Sequence, residues 1–351
     1  MGEKYLMKGN EVIAEAALRA GCRCYFGYPI TPQTEIAHYM AKKMPEIGGN
    51  FVQAESEVAA INMVYGAAAA GKRVMTSSSS PGISLKQEGI SYIACAELPA
   101  VVVNIVRCGP GLGGILTGQC DYFQAVKGGG HGDYKMVVLA PSNIQELYEL
   151  TVEAFNIADR YRTIAMIMGD GILGQMMETV EYKDVENILN VEKPWATTGT
   201  EMKREKNTIT SVYINPEVLE NHNRKLQSKY KEIEQNEVRV ESYNCENADI
   251  IVAAFGTAAR IVSNVVKQAE KEGIKVGLIR PISLWPFPKD EFLKYAQTPK
   301  AFLSVEMNAG QMIEDVRLAV EGKKPVHFYG RMGGMIPKEI EILNKIKEIL
   351  K

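Results

Sequence analysis

The sequence predicts an α/β protein in two parts: a doubly wound parallel sheet over about residues 1–190, then a second, smaller α/β domain of about a hundred residues. Three observations carry this prediction. The runs AVVVNIVRC, KMVVLA and TIAMIMG are short and rich in β-branched residues, as strands buried on both faces must be. Such runs alternate with helical patterns of about ten to fifteen residues, which is the rhythm of a parallel sheet. Finally, DIIVAAFG (249–256) restarts that rhythm after a charged stretch. The expected division is 1–195 for the first domain, 196–245 for a charged linker with an amphipathic helix, and 246–351 for the second domain.

Taken in order, GNEVIAEAALRA (9–20) carries apolar residues at helical spacing. Gly21 suits the stop, because glycine adopts the left-handed conformation without steric cost. A short strand, CYFGY, and a turn, PITP, lead into a helix over 33–44. SEVAAINMVYGAAAAG reads as an Ala-rich helix, and RVMTSSSS as a strand ending in a hydroxyl cluster. In the charged stretch, Leu219, His222, Leu226, Tyr230 and Ile233 recur at helical spacing. They predict one helix with a narrow apolar stripe, packed on a neighbouring element or on a partner chain. Strands near 276–280, 301–306 and 326–329 follow, with helices between them and a last helix from 337. The sequence carries no internal repeat.

Forty basic and forty-two acidic residues in 351 give a net charge of −2, so no cationic field awaits nucleic acid or anionic lipid. A hydrophobic share of 46% is a globular average. Charges interrupt the first thirty residues and no apolar run is long enough to span a bilayer, so a soluble, cytoplasmic protein is expected. The six cysteines include no C-x-x-C pair, and the four histidines show no metal spacing. If redox chemistry is involved, the electron carrier is expected elsewhere.

Three segments carry candidate chemistry. In GYPITP (27–32), Pro29 and Pro32 restrict the backbone around Ile30 and Thr31 at the end of a strand, where ligands of α/β sheets bind. An ordinary turn would look the same. In QAESEVAA, Glu55 and Glu57 stand at a helix entrance with Ser56 a possible cap; acidic residues there often only complement the helix dipole. Glu57 leads into an apolar helix with no basic residue nearby in sequence, a setting that raises a carboxyl pKa and suits proton sharing. In VVVNIVRCGPGLGG, Arg107 ends a buried strand, placed to grip a carboxylate or phosphate or to form a structural ion pair. The glycines that follow lack the spacing of a dinucleotide-binding turn. Gly169-Asp170-Gly171 is read as a tight turn, because Asn187 and Asn190 do not complete the magnesium-binding motif that a GDG can open.

Together, GYPITPQTE, QAESEVAAINMVYGAAAAG, TSSSSPGISL and NIVRCGPGLGG resemble the pyrimidine-binding subunit of the 2-oxoacid:ferredoxin oxidoreductases. FGTAAR, LIRPISLWPFP and VEMNAGQM resemble their transketolase C-terminal-like domain. SSSSPGISLKQEGISYIA and GGGHGDY are most similar to the 2-oxoisovalerate, or branched-chain, type, with the 2-oxoglutarate type next. The resemblance implies oxidative decarboxylation of a 2-oxoacid to an acyl-CoA with electrons passed to ferredoxin. It implies that Glu57 meets N1′ of the thiamine diphosphate aminopyrimidine, with Pro29 and Ile30 at the cofactor. Thr31 would contact the oxoacid and Arg107 its carboxylate. It places the diphosphate, its Mg and the iron–sulfur clusters in partner subunits: a diphosphate-binding subunit, a gamma subunit and a ferredoxin-like small subunit. A self-dimer is compatible with it. If the site is shared in this way, Glu57, Thr31 and Arg107 should line an exposed cleft. Two other readings compete: a pyrimidine-domain subunit of a lipoamide-linked dehydrogenase, and a non-catalytic interaction subunit. The PITP and Arg107 loops argue against the first, and the presence of all three residues argues against the second.

Overall fold

A computed structural model describes residues 4–182 and 191–351; Asn187 and Asn190 lie outside them. The first part runs β1 (Lys4–Lys8), α1 (Gly9–Arg19), β2 (Cys24–Gly27), α2 (Thr34–Lys43), β3 (Asn50–Gln53) and α3 (Glu57–Ala69). It continues through β4 (Val74–Ser78), α4 (Pro81–Cys95), β5 (Ala100–Val106), α5 (Tyr122–Val126) and β6 (Val137–Leu139). Then come α6 (Ile144–Tyr161), β7 (Ile164–Asp170), α7 (Gly171–Gln175) and β8 (Met177–Glu181). The remainder opens with α8 (Pro216–Asn236), β9 (Val240–Tyr243), β10 (Ile250–Ala253), α9 (Gly256–Lys271), β11 (Val276–Pro281) and β12 (Ser283–Trp285). It closes with α10 (Lys289–Tyr295), β13 (Ala301–Glu306), α11 (Met312–Val320), β14 (Val326–Gly330) and α12 (Glu339–Leu350).

A seven-stranded sheet in the order β12-β6-β7-β5-β4-β2-β3 organises the first part. It is parallel throughout except where β12 pairs antiparallel with β6. Val101, Val102, Val103 and Ile105 of central β5 are wholly buried, because helices cover both faces of the sheet. The second sheet, β14-β13-β10-β11-β9, is parallel apart from its edge strand β9. β9 comes from within the charged stretch, and β12 crosses from the second part to extend the first sheet. The chain therefore knits its two sheets together along their edges.

The helix predicted from the 219–233 stripe is α8, and it packs on its own chain. Leu226, Tyr230 and Ile233 are buried, Tyr230 meets Trp285 edge-on, and His222 Nε2 bonds the Cys95 carbonyl at 2.7 Å. The stripe thus needs no partner chain. The GDG segment is not a tight turn. Asp170 ends β7 and caps α7, accepting from the Ile172 and Leu173 amides. An aspartate that caps a helix directly after a strand satisfies the donors a turn would leave open. Sequence reading also passed over the β1–β8 ribbon, β3 and β9, strands of only four or five residues each. Among the described residues no helix is long and apolar enough to cross a membrane, and no three His, Cys, Asp or Glu side chains converge to hold a metal.

Candidate functional site

The candidate residues meet at the carboxyl ends of β2, β4 and β5, the end of a parallel sheet where ligands bind. Glu57 begins α3, whose first turn is set by Ser56: its hydroxyl accepts the Ala59 amide at 3.2 Å. The Glu57 carboxylate turns toward the start of α4. A Cβ placed on Gly82 would stand 2.6 Å from Glu57 Oε1 and 2.0 Å from Ser78 Oγ, so only glycine lets the two helix starts approach this closely.

Arg107 and Thr31 also come together. Arg107 Nη1 donates to the Thr31 carbonyl at 3.1 Å and Nη2 to the Leu112 carbonyl at 2.9 Å, which binds the glycine-rich loop to the PITP loop. Ser80 holds the Arg107 backbone, accepting its amide at 3.0 Å and donating to its carbonyl at 3.1 Å. The Ser80 amide in turn bonds Asn104 Oδ1, and Asn104 Nδ2 bonds Asp121. Burial pushes the Asp121 carboxyl up, against the hydrogen bonds it accepts.

The expected exposed cleft is only partly present. Thr31 and Pro29 are exposed and Ile30 half-buried, but Glu57 and Arg107 each keep only 6% of their surface. Gly82 and Ser78 close over the glutamate, and the Leu112 loop folds over the guanidinium. Nor is Arg107 a free clamp, since two of its nitrogens already serve backbone carbonyls. Its Nε, together with Ser78 Oγ and Ser79 Oγ, is buried without a hydrogen-bond partner. Orphaned donors beside a buried carboxylate are costly unless something polar fills the space. A flat ring with polar edges, such as an aminopyrimidine, fits this set.

Sequence reading missed the lysine. Glu57 has no basic neighbour in sequence, yet Lys86 of α4 lies wholly buried and feels its charge. Burial pushes the Lys86 ammonium down to about 7, with Glu57 opposing the shift. Lys86 Nζ donates to Thr76 Oγ1 at 2.8 Å and to the Ser77 carbonyl at 3.1 Å. From Ser77 a buried chain runs on: Ser77 Oγ accepts from the Tyr25 hydroxyl at 2.6 Å and donates to Gln33 Oε1 at 2.5 Å. Gln33 returns to the PITP loop through its amide, which bonds the Ile30 carbonyl at 3.1 Å. A signal for Lys86 was available, since Ile83, Lys86, Ile90 and Ile93 share a helical spacing that puts the lysine inside an apolar face.

The second part reaches the same loops. Gln119, wholly enclosed, donates to the Phe255 carbonyl at 2.9 Å and accepts the Met307 amide at 3.0 Å. A cavity of about 900 Å³ lies between, lined by Ser80, Cys108, Asp121, Met307, Asn308 and Met332 among others. Glu57, Thr31 and Arg107 do not line it.

Residues 15–242 match the family described as pyruvate flavodoxin/ferredoxin oxidoreductase, thiamine diP-bdg. The chain belongs to the 2-oxoacid:ferredoxin oxidoreductases. Residues 248–342 match pyruvate:ferredoxin oxidoreductase core domain II. The chain is 50% identical over 344 residues to the ketoisovalerate oxidoreductase subunit VorB of Methanothermobacter thermautotrophicus, covering 98% of this chain and 97% of that one. It is 36% identical over 373 residues to the 2-oxoglutarate synthase subunit KorA of Methanothermobacter marburgensis, covering 99% of each. Among solved structures it is similar to the 2-oxoglutarate:ferredoxin oxidoreductase of Magnetococcus marinus with 2-oxoglutarate, coenzyme A and succinyl-CoA bound. The TM-score is 0.89 at 27% identity, over all of this chain and 66% of that one. This family membership fits the α/β architecture and an oxidoreductase built from several subunits.

Proposed function

We propose that this chain is the cofactor-sharing subunit of an enzyme that oxidatively decarboxylates branched-chain 2-oxoacids, 2-oxoisovalerate first, to acyl-CoA. The observation that carries the substrate is the higher identity to a ketoisovalerate subunit than to a 2-oxoglutarate subunit over nearly the same length. The loop over Arg107 agrees with it, because Leu112, Ile115 and Leu116 are exposed there and offer an apolar surface to an aliphatic side chain. Thiamine diphosphate, when bound, supplies the electron sink for decarboxylation.

This chain's own residues handle a proton, an anion and access. Glu57 holds or releases a proton at N1′ of the pyrimidine, and Pro29 and Ile30 border the ring. Arg107 orients the oxoacid carboxylate and offsets its charge, and Thr31 contacts the same substrate. Residues 1–195 form the pyrimidine-binding domain and 246–351 the transketolase C-terminal-like domain, with 196–245 between them. The diphosphate and Mg site belongs to a partner subunit, and iron–sulfur clusters to a gamma subunit and a ferredoxin-like small subunit. Ferredoxin and coenzyme A are the partners of the whole complex, and two copies of this chain can pair.

A second substrate, 2-oxoglutarate, is supported by the Magnetococcus match. It requires another cation for the distal carboxylate. Comparing kcat/KM for 2-oxoisovalerate, pyruvate and 2-oxoglutarate in the reconstituted complex decides between them. Branched substrates are expected to lead; a clear preference for 2-oxoglutarate moves the chain to the other branch.

A further inference from the structure

We propose that Gln119 is a positioning residue for Arg107, through which the second part of the chain sets the place of the arginine that meets the oxoacid carboxylate. This rests on the reading of Arg107 given above. Gln119 is buried, and both ends of its side chain and both of its backbone groups bond to the second part. Its Nε2 donates to the Phe255 carbonyl at 2.9 Å, and its Oε1 accepts the Met307 amide at 3.0 Å. Its own amide donates to the Met307 carbonyl at 2.9 Å, and its carbonyl accepts from Asn308 Nδ2 at 2.9 Å. Phe255 and Met307 follow β10 and β13, which are paired and parallel, so Gln119 is seated at the carboxyl end of the second sheet. Gly256, at φ +52°, completes the seat: a Cβ there would stand 3.2 Å from Gln119 Nε2.

A second glutamine grips the same segment from the other side. Gln311, directly before α11, donates through Nε2 to the Cys120 carbonyl at 2.8 Å and accepts the Phe123 amide at 2.8 Å. Two side-chain amides thus cross the junction in opposite directions, each pairing with backbone of the other part. Because a primary amide both donates and accepts in one plane, such a pairing fixes orientation as well as distance. From Gln119 the route to Arg107 is short. Thr117 pairs with Arg107 in an antiparallel bridge, and the Cys108 amide donates to the Leu116 carbonyl at 3.0 Å. Cys120 Sγ donates to the Arg107 carbonyl at 3.2 Å. The loop between these residues is closed at its base, and it carries the Leu112 carbonyl that takes Arg107 Nη2. A shift of Gln119 therefore moves both the backbone partner of Arg107 and the carbonyl that holds its guanidinium. A guanidinium recognises a carboxylate through a rigid fork, so its aim matters as much as its charge.

The test compares Gln119→Met, Arg107→Lys and the double variant in the reconstituted complex, with the oxoacid that the complex uses best. Methionine fills the same space as an unbranched side chain and removes both amide bonds. Gln119→Met is expected to raise the oxoacid KM about tenfold or more, since displacing a binding group by about 1 Å is enough for such a loss. Thiamine diphosphate affinity, measured by calorimetry on the same complex, is expected to hold within about twofold, because the cofactor contacts lie on other loops. In the Arg107→Lys background the further rise in KM is expected to stay below about twofold, as it must if Gln119 acts through Arg107. A purely structural role would lower the urea midpoint and leave the KM of the folded complex unmoved. An unmoved KM, or a full tenfold rise in the Arg107→Lys background as well, overturns the proposal. If Gln119→Met does not assemble, Gln311→Met, which loosens the same segment at Cys120 and Phe123, is read by the same KM change and in the same background. Unchanged oxoacid kinetics in Arg107→Lys alone is a different failure: it removes Arg107 from substrate binding and the proposal with it.

Discussion

Arg107 illustrates how a residue can be identified from sequence while its engagement stays hidden. Its place at the end of a β-branched run was readable. Its two bonds to the Thr31 and Leu112 carbonyls were not, because they join loops about 76 and 5 residues away whose paths depend on the fold. Arg107→Lys removes the planar fork that serves both carbonyls. It is expected to weaken oxoacid use by about 1.5–3 kcal/mol while thiamine diphosphate affinity holds. Steady-state kinetics with calorimetry check this; a fall in cofactor affinity with unchanged oxoacid kinetics contradicts it. Lys86 was legible by spacing alone, from Ile83, Ile90 and Ile93, but the approach of α4 to Glu57 was not, since it depends on how α3 packs on α4 at Gly82 and Gly89.

At the scale of elements, periodicity served best where one face is buried. The stripe of α8 predicted the helix, and the fold decides what covers it: α8 lies over the end of α4, where Lys225 and Lys229 both bond Glu97. Burial pushes the Glu97 carboxyl up, but the hydrogen bond from Lys225 and the charge of Lys229 outweigh it and hold the carboxyl below its usual range. A depressed carboxyl contributes stability above the unfolded pKa and loses it as pH falls through the folded one. Glu97→Gln is therefore expected to lower the urea midpoint at pH 7 and to cost progressively less as pH drops below about 4.5. An equal loss at pH 7 and pH 3 contradicts the ion-pair account. The strands missed, β1 with β8, β3, β9 and β12, are three to five residues long and lie at sheet margins, and the missed helices α5 and α7 have five residues each, too few for a periodicity to show. Asp170 was misread because a cap and a turn share the same residue types, and only the amides of Ile172 and Leu173 tell them apart.

For the whole molecule, the alternation of apolar runs made the two sheets legible, and the restart at 249–256 made them separable in sequence. Their joining was not legible. Gln119 binds Phe255 and Met307 across the two parts, and β12 extends the first sheet from the second part, so the Arg107 loop is held by both. Such contacts have no local signature, since each rests on residues more than a hundred positions apart. The joined molecule presents a buried carboxylate, a buried arginine and unpartnered hydroxyls at one sheet end. The central claim is that this chain carries the pyrimidine half of a thiamine diphosphate site. Calorimetric titration of the purified full chain with thiamine diphosphate and magnesium tests it most directly, repeated after addition of the diphosphate-binding subunit. The account predicts weak binding by the chain alone and a tight site once the partner is added; tight, magnesium-dependent binding by this chain alone would contradict it.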